Sequence, residues 1–146
     1  MADLTKLIAR LEALTDFDRE IDLAIGLAIG GWRMETDPNF GAMVFVPEDN
    51  TYYPPHPGSM YPALTESLDI AMALKKRLLP DWRVENLCEW DAEVLRQRGP
   101  WTCDLMRRGK DFADHFPAKC PHAPNPAIAL ILATLKAKQA QEKTDE

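Results

Sequence analysis

The stretch from Tyr61 to Trp90 constrains this chain more than any other. Its hydrophobic period changes once, from helical spacing to alternation, and a proline marks the change. Leu64, Leu68, Ala71, Met72 and Lys75 follow helical spacing, with Ile70, Leu74 and Leu78 on an adjoining stripe. Thr65 is the expected N-cap, because its hydroxyl can accept a hydrogen bond from an unpaired first-turn N–H. Glu66 and Asp69 near one end, and Lys75, Lys76 and Arg77 near the other, suit the helix dipole. Pro80 stops the helix by disfavouring helical geometry in the residue before it. Beyond it, Trp82, Val84, Cys88 and Trp90 point one way, with Asn86 as the polar exception. Arg83, Glu85 and Glu89 point the other way, as in a half-buried strand. A helix over 65–79 is thus expected to lie on a sheet that begins at Trp82. This arrangement requires Trp82 and Trp90 to share one face.

At 146 residues and 46% hydrophobic, the chain can bury a real core in one domain. The expected bounds are 1–138 for the domain and 139–146 for a flexible charged tail. The net charge of −6 argues against sequence-independent nucleic-acid binding, which needs clustered Lys and Arg. Arg96, Arg98, Arg107, Arg108 and Lys110 would make a local basic patch if hairpins gathered them. Three cysteines, no signal peptide and no apolar run of spanning length point to a reduced cytoplasmic protein without membrane contact.

Taken in order, residues 3–14 place Leu4, Leu7, Ile8, Leu11 and Leu14 on one helical face. Thr15 or Asp16 can cap a second helix, from Phe17 to about Ile29, which Gly30-Gly31 ends. Gly31 to Val46 reads as a hairpin turning at Asp37-Pro38-Asn39. Pro47 to Pro62 is a long loop rich in Pro and Tyr. After the central unit, Ala92, Val94 and Leu95 read as a second strand, and Trp101, Cys103 and Leu105 as a third. Short turns would join them into an antiparallel meander. Residues 110–124 are expected to be irregular. Asn125-Pro126 starts a last helix that is apolar almost all round from Ala127 to Leu135, so it should be central. From Lys136 the chain turns polar and is expected to fray. The expected class is α+β: an antiparallel sheet, made of a three-stranded meander plus one or two short strands, packed between helices as an αβα sandwich.

Thr65-Glu66-Ser67-Leu68-Asp69-Ile70-Ala71 resembles the Thr-x-Ser-Leu-Asp-Ala-Ala signature of the phage ABA-sandwich domain family. Asp18-Arg19-Glu20-Ile21-Asp22, Pro80-Asp81-Trp82, Trp90 and Asn125-Pro126-Ala127-Ile128-Ala129-Leu130 are similar as well, in the same order, over roughly residues 16–138. The chain departs from the pattern at Leu64, Ile70 and Asn125, and its loop before Thr65 is long. The resemblance implies a small phage or prophage protein with sheet between helices. It implies no catalytic residues.

Little in the sequence has the spacing of a reactive centre. Cys120-Pro121-His122 with His115 and His56 falls short of the paired spacings of a structural zinc site. Cys88 and Cys103 are expected to face the core as small hydrophobes. Glu66, Asp69, Glu85, Glu89 and Asp91 read as solvated carboxylates, although paired acids can hold a divalent ion or do acid–base work. No glycine-rich phosphate loop is present. The best binding candidate is the helix start at Thr65 and Ser67, whose N–H groups could receive an anion. Tyr52, Tyr53, His56 and Tyr61 lie just before it and could stack on a planar ligand. Two functions follow. The first is a non-enzymatic accessory protein that binds a host or phage protein and needs no cofactor. The alternative is an oligomeric protein that binds or sequesters a small anionic nucleotide signal near Thr65. A carboxylate- or metal-dependent enzyme is a weaker third.

Overall fold

A computed structural model describes residues 4–46, 51–53, 61–90, 99–107 and 117–144, with 51–53, 117–121 and 144 described through their backbone. Helix α1 (Leu4–Glu12) buries Leu4, Leu7, Ile8 and Leu11, the spacing expected of one face. Helix α2 (Arg19–Ala28) is capped by Asp18, whose carboxylate accepts from the N–H groups of Glu20 and Ile21. Neither Thr15 nor Asp16 caps it. Both are exposed, whereas Asp18 has the extended backbone a cap needs.

The hairpin is as the sequence implies. Strand β1 (Arg33–Asp37) pairs antiparallel with β2 (Gly41–Val46), and β3 (Thr51–Tyr53) adds to the far side of β2. The Asp37 carboxylate accepts from the N–H groups of Asn39 and Phe40, an Asx-type turn. Gly41 closes it at φ 80°, which a side chain would resist. Trp32 ties this unit to α2. Its N–H donates to Gly26 C=O at 2.9 Å, and its indole occupies the space where a Cβ on Gly26 would sit.

Helix α3 (Leu68–Leu78) starts at Ser67, not Thr65: the Ser67 hydroxyl accepts from Ile70 N–H. The polar–apolar pattern fixed the helix but not which of two hydroxyl residues caps it. Strand β4 (Trp82–Glu89) follows, then β5 (Trp101–Arg107) and β6 (Pro117–Ala123), in the order β4-β5-β6. The meander therefore exists with a different membership. The strand expected around Ala92–Leu95 lies outside the described residues. The third member, β6, falls where an irregular stretch was expected. The strands form two three-stranded antiparallel sheets, and the class is α+β.

One β-bulge decides which way β4 faces. Val84 opposes Leu105 and Asn86 opposes Asp104, so Glu85 has no opposite number. The extra residue inverts the alternation beyond it. Trp82 and Val84 share the inner face with Leu87, which opposes the fully buried Cys103. Cys88 turns outward beside Asn86, to whose Oδ1 its thiol donates at 2.7 Å. Trp90 follows it: its indole N–H donates to Thr102, which opposes Cys88 on the outer row. Trp82 and Trp90 therefore lie on opposite faces, against the expectation. The meander survives because a bulge changes facing without changing strand partners.

The organising helix is the last one. Helix α4 (Pro126–Thr144) packs on β4, β5 and β6 and also on α1 and α3. It buries every residue from Ala127 to Leu135, which matches its apolar circumference. Asn125 caps it, accepting from Ile128 N–H at 2.8 Å. The helix continues to Thr144 rather than fraying at Lys136, and Ala137 is still buried. Helix α3 lies mainly against α4, so it is α4 that covers the sheet. The link from α3 to β4 is polar: the buried Lys75 donates its ammonium to Trp82 C=O. Among the described residues no helix is long and apolar enough to cross a membrane.

Candidate functional site

Thr65 is where the sequence points, and the structure puts it inside. It is fully buried, and its polar groups are committed to other elements. Its N–H donates to Asp22 Oδ1 at 2.8 Å. Its hydroxyl accepts from Asp18 N–H at 2.9 Å and lies 3.3 Å from Asp18 C=O, to which it can donate. Its carbonyl accepts from Asn125 Nδ2 at 2.9 Å. One residue thus joins the start of α2, the approach to α3 and the cap of α4. A ligand at this point would have to displace those bonds.

Tyr61 is part of the same knot. It is buried, its hydroxyl donates to Arg19 C=O at 3.1 Å, and its own carbonyl accepts from the Arg19 guanidinium. That guanidinium lies 4.5 Å above the Tyr61 ring, a cation–π contact. The far side of Tyr61 meets Trp32 edge-on at 5.8 Å between centroids. Ser67 is occupied as the α3 cap. Tyr52 and Tyr53 stand in β3 opposite Phe45 and Val44, and only their backbone is described. His56 lies outside the described residues.

Sequence reasoning missed Asp22 and Arg19 as the centre of this network. Asp22 is fully buried on the same face of α2 as Ile21, Ile25 and Gly26. Arg19, one turn earlier, pairs with its Oδ2 at 3.2 Å. The available signal was a carboxylate on an apolar stripe with an arginine three residues before it. Burial pushes the Asp22 carboxyl above the ordinary Asp range, against the hydroxyl and N–H of Thr65 and the charge of Arg19, which pull it down; Asp18 adds a smaller push upward.

That direction has a consequence for stability. A carboxyl whose folded pKa exceeds its unfolded value of 3.8 binds its proton more tightly in the folded state. Its ionisation therefore costs stability as pH rises from about 4 through the raised folded pKa, and acidification removes that cost. Asp22→Asn keeps an acceptor for Thr65 and does not titrate. Urea unfolding of both proteins at pH values from about 4 to 8 is expected to show wild type gaining on the variant as pH falls. A difference that stays flat, or grows in the opposite sense, would show that Asp22 is not the group responsible.

The surface offers something else. Among the large apolar side chains that stand exposed are Leu27, Met34, Phe40 and Trp90. Trp90 is 47% exposed and yet fixed. Its backbone N–H donates to Pro100 C=O at 2.7 Å, and its indole N–H donates to Thr102 Oγ1 at 2.8 Å. An aromatic ring held this way presents area to a partner with little further loss of conformational freedom. Among the described residues no group of three or more His, Cys, Asp or Glu is placed to hold a metal ion. No protein-family model, curated protein or solved structure matches the chain.

Proposed function

We propose that this chain is a phage or prophage accessory protein that acts by binding a host or phage protein in the bacterial cytoplasm, without a catalytic step of its own. The observation that carries this reading is Trp90, half exposed and held by two hydrogen bonds on the outer face of the second sheet. Trp is enriched among residues that dominate protein interfaces, because a large flat ring excludes water from a contact. The polar groups that could have served a small ligand at Thr65 are spent on joining α2, α3 and α4. The phage origin rests on the short ABA-sandwich motifs of the sequence alone; Trp82 and Trp90, which that likeness requires on one face, lie on opposite faces.

The test uses the tagged chain in infected bacteria, followed by binding of the captured protein in purified form. Trp90→Ala is expected to weaken binding by at least about tenfold, the effect of losing an interface residue worth about 1.4 kcal/mol or more. Its melting temperature should stay close to wild type, since little of the ring is in the core. Unchanged affinity in the folded variant would remove this surface from the proposal. A thermal-shift screen with nucleotides and divalent metals runs beside it, because a ligand of the folded state raises the midpoint by mass action. A clear shift with a nucleotide would transfer the reading to small-molecule sequestration, and one with a metal to an enzyme.

A further inference from the structure

We infer that the open edge of β1 pairs with the same edge of a second copy of this chain, antiparallel about a two-fold axis at Met34. In the first sheet the order is β1-β2-β3, so β2 satisfies one side of β1, and among the described residues no strand takes the other. Unpaired N–H and C=O groups along an extended strand are a template for another strand. β1 is also exposed on both faces from Arg33 to Thr36, so a second strand can approach it.

The charges on β1 choose the partner and the register. Arg33 and Glu35 lie on one face, and their side chains already meet at 2.7 Å within the strand. In an antiparallel self-pair, the register centred on Met34 sets Arg33 of each copy opposite Glu35 of the other. Two cross-strand ion pairs then flank a Met34–Met34 contact. Centring on Glu35 instead would set that carboxylate against itself, which is repulsive. Centring on Thr36 would oppose Glu35 to Asp37. Only the Met34 register is complementary throughout, which is the requirement for a two-fold interface.

The same register accounts for apolar exposure that the monomer leaves unexplained. Met34 is 47% exposed and sits on the axis. Phe40, at 71% exposed, stands at the hairpin tip beyond Asp37. Pairing about Met34 sets Asp37 of one copy opposite Gly31 of the other, so each tip reaches the base of its partner's hairpin. There α2 ends, with Leu27 exposed at its last turn. Self-association covers Met34 on the axis and brings the hairpin tip that carries Phe40 toward the end of α2 in the other copy. This surface is separate from Trp90, and the inference stands whether or not that residue binds a partner.

The experiment is a charge-complementation test by sedimentation over about 1–200 µM protein. Wild type is expected to be a dimer. Arg33→Glu carries acids at both 33 and 35, Glu35→Arg carries bases at both, and each alone should sediment as a monomer. Mixed one to one, they should form a heterodimer. Neither variant contains the ion pair within its own strand, so recovery in the mixture reports the contact between copies. As a route that leaves the charges intact, Met34→Cys should cross-link to itself under mild oxidant at least about tenfold faster than wild type, since Cα atoms facing across an antiparallel pair lie within disulfide reach. A monomeric wild type over the whole range overturns the inference. So do charge variants that remain dimeric, or folded variants that stay monomeric when mixed.

Discussion

Asp22→Ala is expected to lower the free energy of unfolding by about 2–4 kcal/mol. The carboxylate is fully buried and accepts from Thr65 N–H on one oxygen and from Arg19 on the other. Removing it leaves the Thr65 N–H without its acceptor in a place water does not reach, while the Arg19 guanidinium loses this ion pair but keeps the Tyr61 carbonyl and ring. The Arg19 side chain keeps partial access to solvent, which holds the loss below that of a fully buried pair. Asp22→Asn at neutral pH should cost distinctly less, because the amide oxygen can still accept from Thr65. Urea denaturation with the midpoint and slope fitted separately measures both. Equal losses for Ala and Asn would mean that charge, rather than an acceptor for Thr65, is what α2 supplies. A loss under about 1 kcal/mol for Ala would remove the network as a structural tie.

The second large effect tests which helix the molecule is built on. Leu130 is fully buried in α4, the helix that touches the second sheet, α1 and α3. Leu130→Ala is expected to cost about 3–5 kcal/mol, the transfer of the removed methyl groups plus a cavity whose walls several elements hold apart. Leu78→Ala, at the half-buried end of α3, should cost less than half as much. The sequence places α3 at the centre of the architecture, so the two variants discriminate directly. A larger loss at Leu78 would restore that first expectation.

What could be read from the sequence was what depends on local period. The buried face of α1, the β1–β2 hairpin with Asp37 at its turn, and the all-round burial of α4 each follow from spacing within a dozen residues. What escaped depends on a partner. The bulge at Glu85 is invisible in β4 alone, because alternation reads through it; only the pairing with β5 reveals the extra residue and turns Trp90 outward. Strand β6 carries Pro117 and Pro121 and shows no alternation. It forms at a sheet edge, where a missing N–H is tolerated. The capping chemistry that points to Thr65 is shared by Ser67. The hydroxyl that looked available to a helix terminus, or to a ligand, was needed by α2. Asp22 belongs to a motif that resembles the family's, and its place on a buried stripe shows only once α2 is packed.

The position of α4 in the order of elements has a bearing on how the chain is made. It follows all the other described elements, yet it is the surface against which α1, α3 and the second sheet close. While the ribosome is still working toward Pro126, the greasy sides of α1, α3 and the second sheet lack the main surface they close on. Consolidation must wait for that final span to emerge, so the nascent polypeptide passes through an interval in which its apolar faces are open to whatever is nearby.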